Sequence, residues 1–168
     1  MRDLFKDRYK FNEPLNWDTS NVTNMKYMFY GCESFNQHLN FNTQNVTDMS
    51  GMFLEAKSFN QPLNFNTSKV TNMSRMFCHA ESFNRSLNFN TENVTDMSDM
   101  FDSCDSFNKS LNFTSTENVT DMSGMFRKAK SFNQPLNFNT ENVVNMSFMF
   151  AGTQSFNQPL NFNTEKVS

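Results

Sequence analysis

Nine residues interrupt the otherwise regular repeat of this 168-residue chain, and their side chains are the first candidates for chemistry. They are His38, His79, Cys32, Cys78, Cys104, Tyr9, Tyr27, Tyr30 and Phe148. A nucleophile and its base must lie within hydrogen-bonding reach. Cys78 and His79 are sequence neighbours, whose side chains diverge in most local geometries, so we predict no nucleophilic site. The two histidines occupy different repeat positions, which favours exposed turn residues over a zinc pair that lacks its other ligands.

The three cysteines are predicted to be free thiols. Cys32 and Cys104 share a repeat position three coils apart, which corresponds to about 14 Å at the spacing of stacked strands. A disulfide bridges Cα atoms no more than about 7 Å apart. Cys78 and Cys104 lie in adjacent coils but two positions out of line, which is borderline for a bridge. An odd number of cysteines is typical of a reducing compartment.

The acidic run "DMSDMFDSCDS" has aspartates at every third position, Asp96, Asp99, Asp102 and Asp105. An EF-hand loop places its calcium ligands at alternate positions, so this spacing does not fit a calcium site. Arg75, Arg127 and Lys130 occupy matching positions of neighbouring coils: Asp99 falls beside Arg75, Asp102 beside Arg127 and Asp105 beside Lys130. The sequence therefore predicts ion pairs between coils.

One column of like charges does not fit that pattern. Four consecutive coils carry a glutamate at the same position: Glu92, Glu117, Glu141 and Glu165. Directly opposed like charges destabilise neighbouring strands. Two alternatives remain open: the four side chains splay into water, or the strip faces a cationic partner. We call these four residues the glutamate strip.

The repeat that defines these positions is S-F-N-x-x-L-N-F-N-T-x-N-V-T-N/D-M-x-x-M-F-x-x-x-x. Its period is 24 residues, with one step of 25 in "FTSTENV" at residues 113–119. Three Phe columns contain 20 of the 21 Phe residues, and two columns contain all 13 Met residues. A period of this length indicates a solenoid, whose coils bury their apolar faces against each other. Phe, Met, Leu and Val are therefore predicted to form the stacked core.

The spacing inside each unit predicts local structure. In "FNQPLNF", Phe59, Leu63 and Phe65 fall on one face of a strand. In "VTNMSRMFCHA" the apolar residues recur at helical spacing, with Asn72 as the N-cap. The Asn columns that begin at Asn36 and Asn40 are expected to form amide ladders between coils. We predict a mostly β fold: a right-handed, LRR-like parallel β-solenoid of about seven coils, each with a short helical turn.

Composition excludes several classes of function. The net charge is −3, with no basic tract, so nucleic acid is not an expected partner. No apolar run approaches the roughly 20 residues of a membrane span. The opening "MRDLFKDRYK" lacks the apolar core of a signal peptide. We therefore expect an unprocessed chain without membrane insertion.

The stretch "WDTSNVTNMKYMFYGCESFNQHLN", residues 17–40, resembles the repeat of the BspA-like leucine-rich-repeat surface proteins, a group once filed as a mycoplasma domain of unknown function. The shared pattern is W-D-x-S-N-V-T-x-M-x-x-M-F-x-G-C/A-x-x-F-N-Q, and the similarity extends over the whole chain, although later coils replace Trp-Asp by Phe-Asn. This resemblance implies an LRR-like solenoid, a location on a cell surface or virion, and adhesion or other protein contact. It supplies no catalytic residues.

The chain is predicted to form one domain, residues 1–168, that starts and stops within coils and has no distinct caps. A terminal coil without a cap exposes apolar side chains and unpaired main-chain groups, and these favour association with another chain. The predicted end-to-end contacts are Met1, Leu4, Phe5, Phe156, Leu160, Phe162 and Val167.

The expected function is a non-catalytic scaffold for protein–protein interaction, without metal or cofactor. Partners are other proteins, including further copies of the chain. Surface adhesion or host interaction is the first hypothesis, and a building block of a larger assembly such as a virion or cell envelope is the alternative. Ice binding is a third hypothesis, based on Thr residues that recur at fixed repeat positions, such as Thr43 and Thr47.

Overall fold

Equivalent positions of neighbouring repeats lie side by side along the whole chain. The computed structural model describes all 168 residues. It contains no helix and no continuous strand; its only β pairing is a set of isolated parallel bridges between residues 24 or 25 apart. The bridges are Leu15↔Leu39, Asn24↔Asp48, Asp48↔Asn72, Asn72↔Asp96, Leu87↔Leu111, Asp96↔Asp121 and Asp121↔Asn145. This side-by-side register is compatible with the predicted repeat fold, but without a sheet the prediction of a mostly β solenoid is not confirmed.

The predicted helical turn in each coil is wrong. The Met76 N–H does donate to the Met73 carbonyl at 3.2 Å, which closes a turn. The next N–H, that of Phe77, donates instead to the Met100 carbonyl of the following repeat at 3.0 Å. A helix would require all of these donors for its own ladder. Apolar spacing of three is common to a helix and to consecutive turns, so the sequence pattern did not distinguish them.

These turns require left-handed backbone at two positions of every repeat. The first set comprises Asp3, Tyr27, Gly51, Arg75, Asp99, Gly124 and Phe148, and the second comprises Asp7, Gly31, Glu55, His79, Ser103, Lys128 and Gly152. Glycine adopts this conformation without the steric penalty that other residues incur. At Gly124 a side chain would also collide with Asp99, because a Cβ there would lie 2.2 Å from its Oδ1.

Replacing Phe148 by Gly is expected to stabilise the chain by about 0.5–1 kcal/mol. Phe148 has φ 58° and is 70% exposed, so its ring contributes little burial while its Cβ strains the backbone. Glycine removes that strain but is more flexible in the unfolded chain, which limits the gain. Denaturant melts of Phe148→Gly and Phe148→Ala provide the test, because alanine retains the Cβ. An alanine variant as stable as the glycine variant would contradict the prediction.

The predicted inward face of "FNQPLNF" is confirmed. Phe59 is fully buried, and Leu63 and Phe65 are only 6% exposed. The segment nevertheless is not a strand, since its backbone N–H groups lack a regular ladder. Pro62 has no N–H to donate. The Asn60 N–H donates to the side-chain Oδ1 of Asn36 at 3.0 Å rather than to a main-chain carbonyl.

The Asn column that begins at Asn36 forms the expected ladder, in a modified form. Each Oδ1 accepts the main-chain N–H of the next repeat, and in several repeats a Gln side chain as well, as from Gln61 Nε2 at 3.0 Å. The column that begins at Asn40 is linked by side chains only once, by Asn112 to Asn88 at 3.5 Å. The first ladder therefore takes over pairing that the main chain does not supply.

Stacked phenylalanine rings occupy the middle of the repeat stack. Phe53 and Phe77 are parallel, with ring centroids 5.6 Å apart and an interplanar angle of 6°. Within one repeat Phe53 also stacks on Phe59 at 4.1 Å. These columns belong to one apolar core of 39 buried residues that extends from Leu15 to Met149. The assignment of Phe and Met to the core is confirmed.

No segment forms a helix long and apolar enough to cross a bilayer.

Candidate functional site

The predicted ion pairs between coils are present, and they form a small network. Arg75 Nε lies 3.3 Å from Asp99 Oδ2, and Arg127 Nη2 lies 3.5 Å from the other oxygen of that carboxylate. The same Arg127 nitrogen lies 2.5 Å from Asp102 Oδ2. Lys130 and Asp105 form a separate pair at 2.6 Å. Four charges of balanced sign therefore link the fourth, fifth and sixth repeats.

Asp102 is the unusual member of this network, because its side chain is only 3% exposed. Its second oxygen, Oδ1, accepts the Ser103 hydroxyl at 3.1 Å. The Asp102 side chain on Arg127 raises the pKa of that guanidinium above its already high value. The Nε of Arg127 is buried without a hydrogen-bond partner. Pairing with Arg127 offsets part of the cost of burying this carboxylate.

Cys78 and His79 converge, so the prediction that their side chains diverge is wrong. The Sγ of Cys78, a ring nitrogen of His79 and a carboxylate oxygen of Asp102 all lie within 4.8 Å of one another. His79 has φ 57°, and left-handed backbone breaks the alternation of side-chain directions found in an extended segment. Asp102 completes the group from the next repeat, where its main-chain carbonyl accepts the His79 N–H at 2.8 Å.

The three cysteines are free thiols, as predicted, and all three are buried. The thiols of Cys32 and Cys104 donate to main-chain carbonyls of the preceding repeat, those of Phe5 at 3.1 Å and Phe77 at 2.8 Å. Burial raises the pKa of Cys32 to about 11. Burial, and then the Asp102 and Asp99 carboxylates, raise that of Cys78 to about 12. The pKa of Cys104 lies well above its usual range because the thiol is buried.

All three thiols are expected to react with a thiol reagent once the chain is unfolded, without prior reduction. In the folded chain the reaction at pH 8 should be slow, because raised thiol pKa values leave little thiolate. Mass spectrometry after alkylation counts the labelled cysteines in each state. A mass two hydrogens short before reduction would show a disulfide and contradict this prediction.

The four carboxylates of the glutamate strip are exposed and lack a cationic partner within the chain. All four residues are exposed, and none takes part in an ion pair. Their main chain is held in place: the Glu92 N–H donates to Asn90 Oδ1 at 3.1 Å, and its carbonyl accepts Asn118 Nδ2 at 2.7 Å. The backbone therefore presents one carboxylate per repeat on an ordered edge.

The predicted end contacts lie on the outer faces of the first and last repeats. Leu4 is 46% exposed and Leu160 is 42% exposed. The remaining members of this group, all half-buried, are Met1, Phe5, Phe156, Phe162 and Val167. At the first repeat, Leu4, Phe5, Tyr9 and Phe11 line an open cleft of about 610 Å³.

The Thr columns differ from what an ice-binding face requires. Thr43 is 2% exposed, and its hydroxyl donates to the Asn66 carbonyl at 2.9 Å. Thr47 is exposed, but its hydroxyl donates to the Thr23 carbonyl at 3.2 Å. One of the two columns is therefore inside the protein, where its hydroxyls join neighbouring repeats.

One known protein family matches the chain over its whole length. A family model described as "Mycoplasma protein of unknown function, DUF285" matches residues 1–112 and again residues 85–168. The chain belongs to this family. Two overlapping matches within one DUF285 chain are what a repeat family gives, in agreement with the 24-residue period. No curated protein and no solved structure matches the chain.

Proposed function

We propose that this DUF285 chain is a non-catalytic repeat scaffold for protein–protein interaction. The observation that supports the proposal is the glutamate strip, one exposed and unpaired carboxylate in each of four consecutive repeats. Aligned like charges destabilise a stack by themselves. A basic partner surface would relieve that repulsion, and its charges would need only to follow the spacing of the repeats.

Binding of a fluorescent oligolysine peptide, measured by anisotropy at low salt, tests this function. We expect the triple substitution Glu92→Gln, Glu117→Gln and Glu141→Gln to weaken binding at least about tenfold, since three charge contacts of roughly 0.5 kcal/mol each are removed. The matched control changes Glu13, Glu55 and Glu81, which lie outside the strip, to Gln and leaves the same net charge. Equal weakening in both variants would show attraction to overall charge and would refute the strip as a binding surface.

The finer proposal concerns fold family and location. An LRR-like parallel solenoid of the BspA-like type would place this scaffold at a cell or virion surface, with adhesion or host contact as its role. This proposal rests on the resemblance of residues 17–40 to that repeat. The side-by-side placement of equivalent residues and the isolated parallel bridges are compatible with it.

The second candidate function is a building block of a larger assembly, and the two end faces favour it. The main-chain N–H groups of Phe148, Phe150 and Gly152 have no hydrogen-bond partner within the chain. In the sixth repeat, the N–H groups at the same three positions donate to main-chain carbonyls of the last repeat. The Phe126 N–H, for example, donates to the Met149 carbonyl at 2.9 Å. On the outer face of the first repeat, the main-chain carbonyls at the acceptor positions receive no hydrogen bond. These are the carbonyls of Arg2, Leu4 and Lys6.

A second copy placed end to end would continue the stack in register. Phe150 would face Phe5 of the copy, and Leu160 would face Leu15, by the same 24-residue relation that holds within the chain. Unpaired edge groups of this kind template the addition of further chain. A further coil of the same register is therefore the proposed occupant of each face.

Sedimentation velocity over a range of concentrations tests the end faces. We expect the 168-residue chain to associate as its concentration rises, and Leu160→Lys with Phe162→Lys to weaken that association. Burying the apolar side chains of one end repeat, some hundreds of Å² of surface, contributes several kcal/mol of association free energy at about 25 cal/mol per Å². Asn40→Lys with Asn64→Lys is the control, because both residues are exposed, lie in interior coils and add the same two charges. A monomer at every concentration would contradict end-to-end association.

A further inference from the structure

The group formed by Cys78, His79 and Asp102 contains three different metal-binding side chains within a small volume. Cys78 and Asp102 are buried and His79 is exposed. The Sγ of Cys78 lies 3.9 Å from Asp102 Oδ2. Two of the residues come from one repeat and the third from the next, and the hydrogen bond from His79 N–H to the Asp102 carbonyl fixes their register at 2.8 Å.

The repeat itself does not require these residues. The positions equivalent to Cys78 hold Lys6, Tyr30, Leu54, Asp102, Arg127 and Ala151 in the other coils. The positions equivalent to His79 hold Asp7, Gly31, Glu55, Ser103, Lys128 and Gly152. The chain tolerates apolar, charged and small residues there. Cys, His and Asp together are therefore a local departure from a pattern that is otherwise explained by packing.

The chemistry of the three donors matches that of zinc. Zinc binds thiolate sulfur at about 2.3 Å and imidazole nitrogen or carboxylate oxygen at about 2.0–2.2 Å, most often in a tetrahedron. Such a tetrahedron has edges of about 3.5 Å, so the present group, within 4.8 Å, must contract slightly. His79 is the exposed member and can turn inward. Three protein ligands leave a fourth position open, and His79 borders a polar cleft of about 200 Å³.

Both oxygens of the Asp102 carboxylate are held in place. Oδ2, which lies 3.9 Å from Cys78 Sγ, is the candidate ligand and accepts a hydrogen bond from Arg127 at 2.5 Å, while Oδ1 accepts the Ser103 hydroxyl at 3.1 Å. Hydrogen bonds of this kind to a ligating carboxylate orient it for the metal. Arg75 and Arg127 balance Asp99 and Asp102 in the metal-free chain. Binding adds two positive charges and one thiolate, and the Cys78 proton leaves to solvent.

We propose that Cys78, His79 and Asp102 form a binding site for a divalent ion of the zinc class between the fourth and fifth repeats. The site is independent of the glutamate strip and of the end faces, since it shares no residue with either. It would fasten two adjacent repeats together and present an open coordination position to the cleft beside His79.

Titration of the full metal-free chain with Co²⁺ provides the test, because cobalt bound to thiolate gives a near-ultraviolet charge-transfer band. We expect one Co²⁺ per chain, a band that Zn²⁺ abolishes, and no band in Cys78→Ser. Loss of a direct ligand in His79→Ala should weaken Co²⁺ binding more than the 10–100-fold caused by losing an outer hydrogen bond. His79 is exposed, so this variant is expected to fold, and a thermal melt verifies that it does.

Cys32→Ser and His38→Ala are the matched controls, since they remove a buried cysteine and an exposed histidine elsewhere in the stack. Both should retain the cobalt band at wild-type affinity. Absence of the band in the wild-type chain would overturn the proposal. A band that persists in His79→Ala at wild-type affinity, or that disappears in Cys32→Ser, would place the metal at another site and overturn it as well.

Discussion

Phe89→Ala is expected to lower the free energy of unfolding by about 3–5 kcal/mol, as truncation of a fully buried Phe does. Phe89 is 1% exposed, shares its repeat position with Phe41 and Phe65, and lies inside the core that the repeats form together. The flanking coils are fixed by ring stacks such as Phe77 on Phe101, at 5.6 Å, so they cannot close over the cavity. The loss includes both the missing transfer energy and the unfilled volume.

Phe148→Ala is the matched control, since the same side chain is removed from a ring that is 70% exposed. Its cost should be below about 0.5 kcal/mol, because little ring area is buried and alanine keeps the Cβ, so the strain at φ 58° is unchanged. Urea melts of both variants give the comparison, and unchanged m-values would show that the two transitions remain comparable. Similar losses at both positions would contradict the assignment of the Phe columns to core and surface.

The core was predictable because equivalent positions can be compared between repeats of the same chain. A position that is apolar in every repeat faces the interior, regardless of the secondary structure that connects it to the next position. Repeat position alone therefore predicts that Phe59, Leu63 and Phe65 share one inner face, and all three are buried. It also separated Phe148, which stands outside every Phe column, from the core.

The backbone between core residues was less predictable. Met73, Met76 and Phe77 have spacing that suits a helix, yet alternate N–H groups of this segment bond to the next coil. That choice depends on the presence of a neighbouring coil at hydrogen-bonding distance, which no local pattern reveals. The Asn72 N-cap prediction has a structural counterpart, since its Oδ1 accepts the Ser74 N–H at 2.9 Å, but it opens a turn instead of a helix.

The site was predicted in part. Matching columns gave the pairs of Asp99 with Arg75, Asp102 with Arg127 and Asp105 with Lys130, all of which are present. The convergence of Cys78 and His79 was missed because it depends on the left-handed backbone at His79. A signal was available: glycines recur at that repeat position, as at Gly31 and Gly152, and recurrent glycine indicates positive φ.

Burial also distinguishes ion pairs that look alike in sequence, and this gives the second large prediction. Arg127→Met is expected to cost about 3 kcal/mol, because it leaves the buried Asp102 carboxylate without its cation. The Asp102 side chain is 3% exposed, while that of Arg127 is 40% exposed. Water can therefore reach the vacated side, and the expected cost lies at the low end for a broken buried pair. Denaturant melts at constant pH measure it.

Two further variants separate burial from pairing. Lys130→Met breaks the Lys130–Asp105 pair, whose side chains are 54% and 37% exposed, and should cost less than about 1 kcal/mol. Asp102→Leu combined with Arg127→Met should be far less destabilised than Arg127→Met alone, since no charge is left buried. Leu54 occupies the same repeat position as Asp102, so the coil accepts that side chain. A double variant as unstable as Arg127→Met would mean that the lost energy comes from Arg127 packing, and the buried carboxylate would not be its cause.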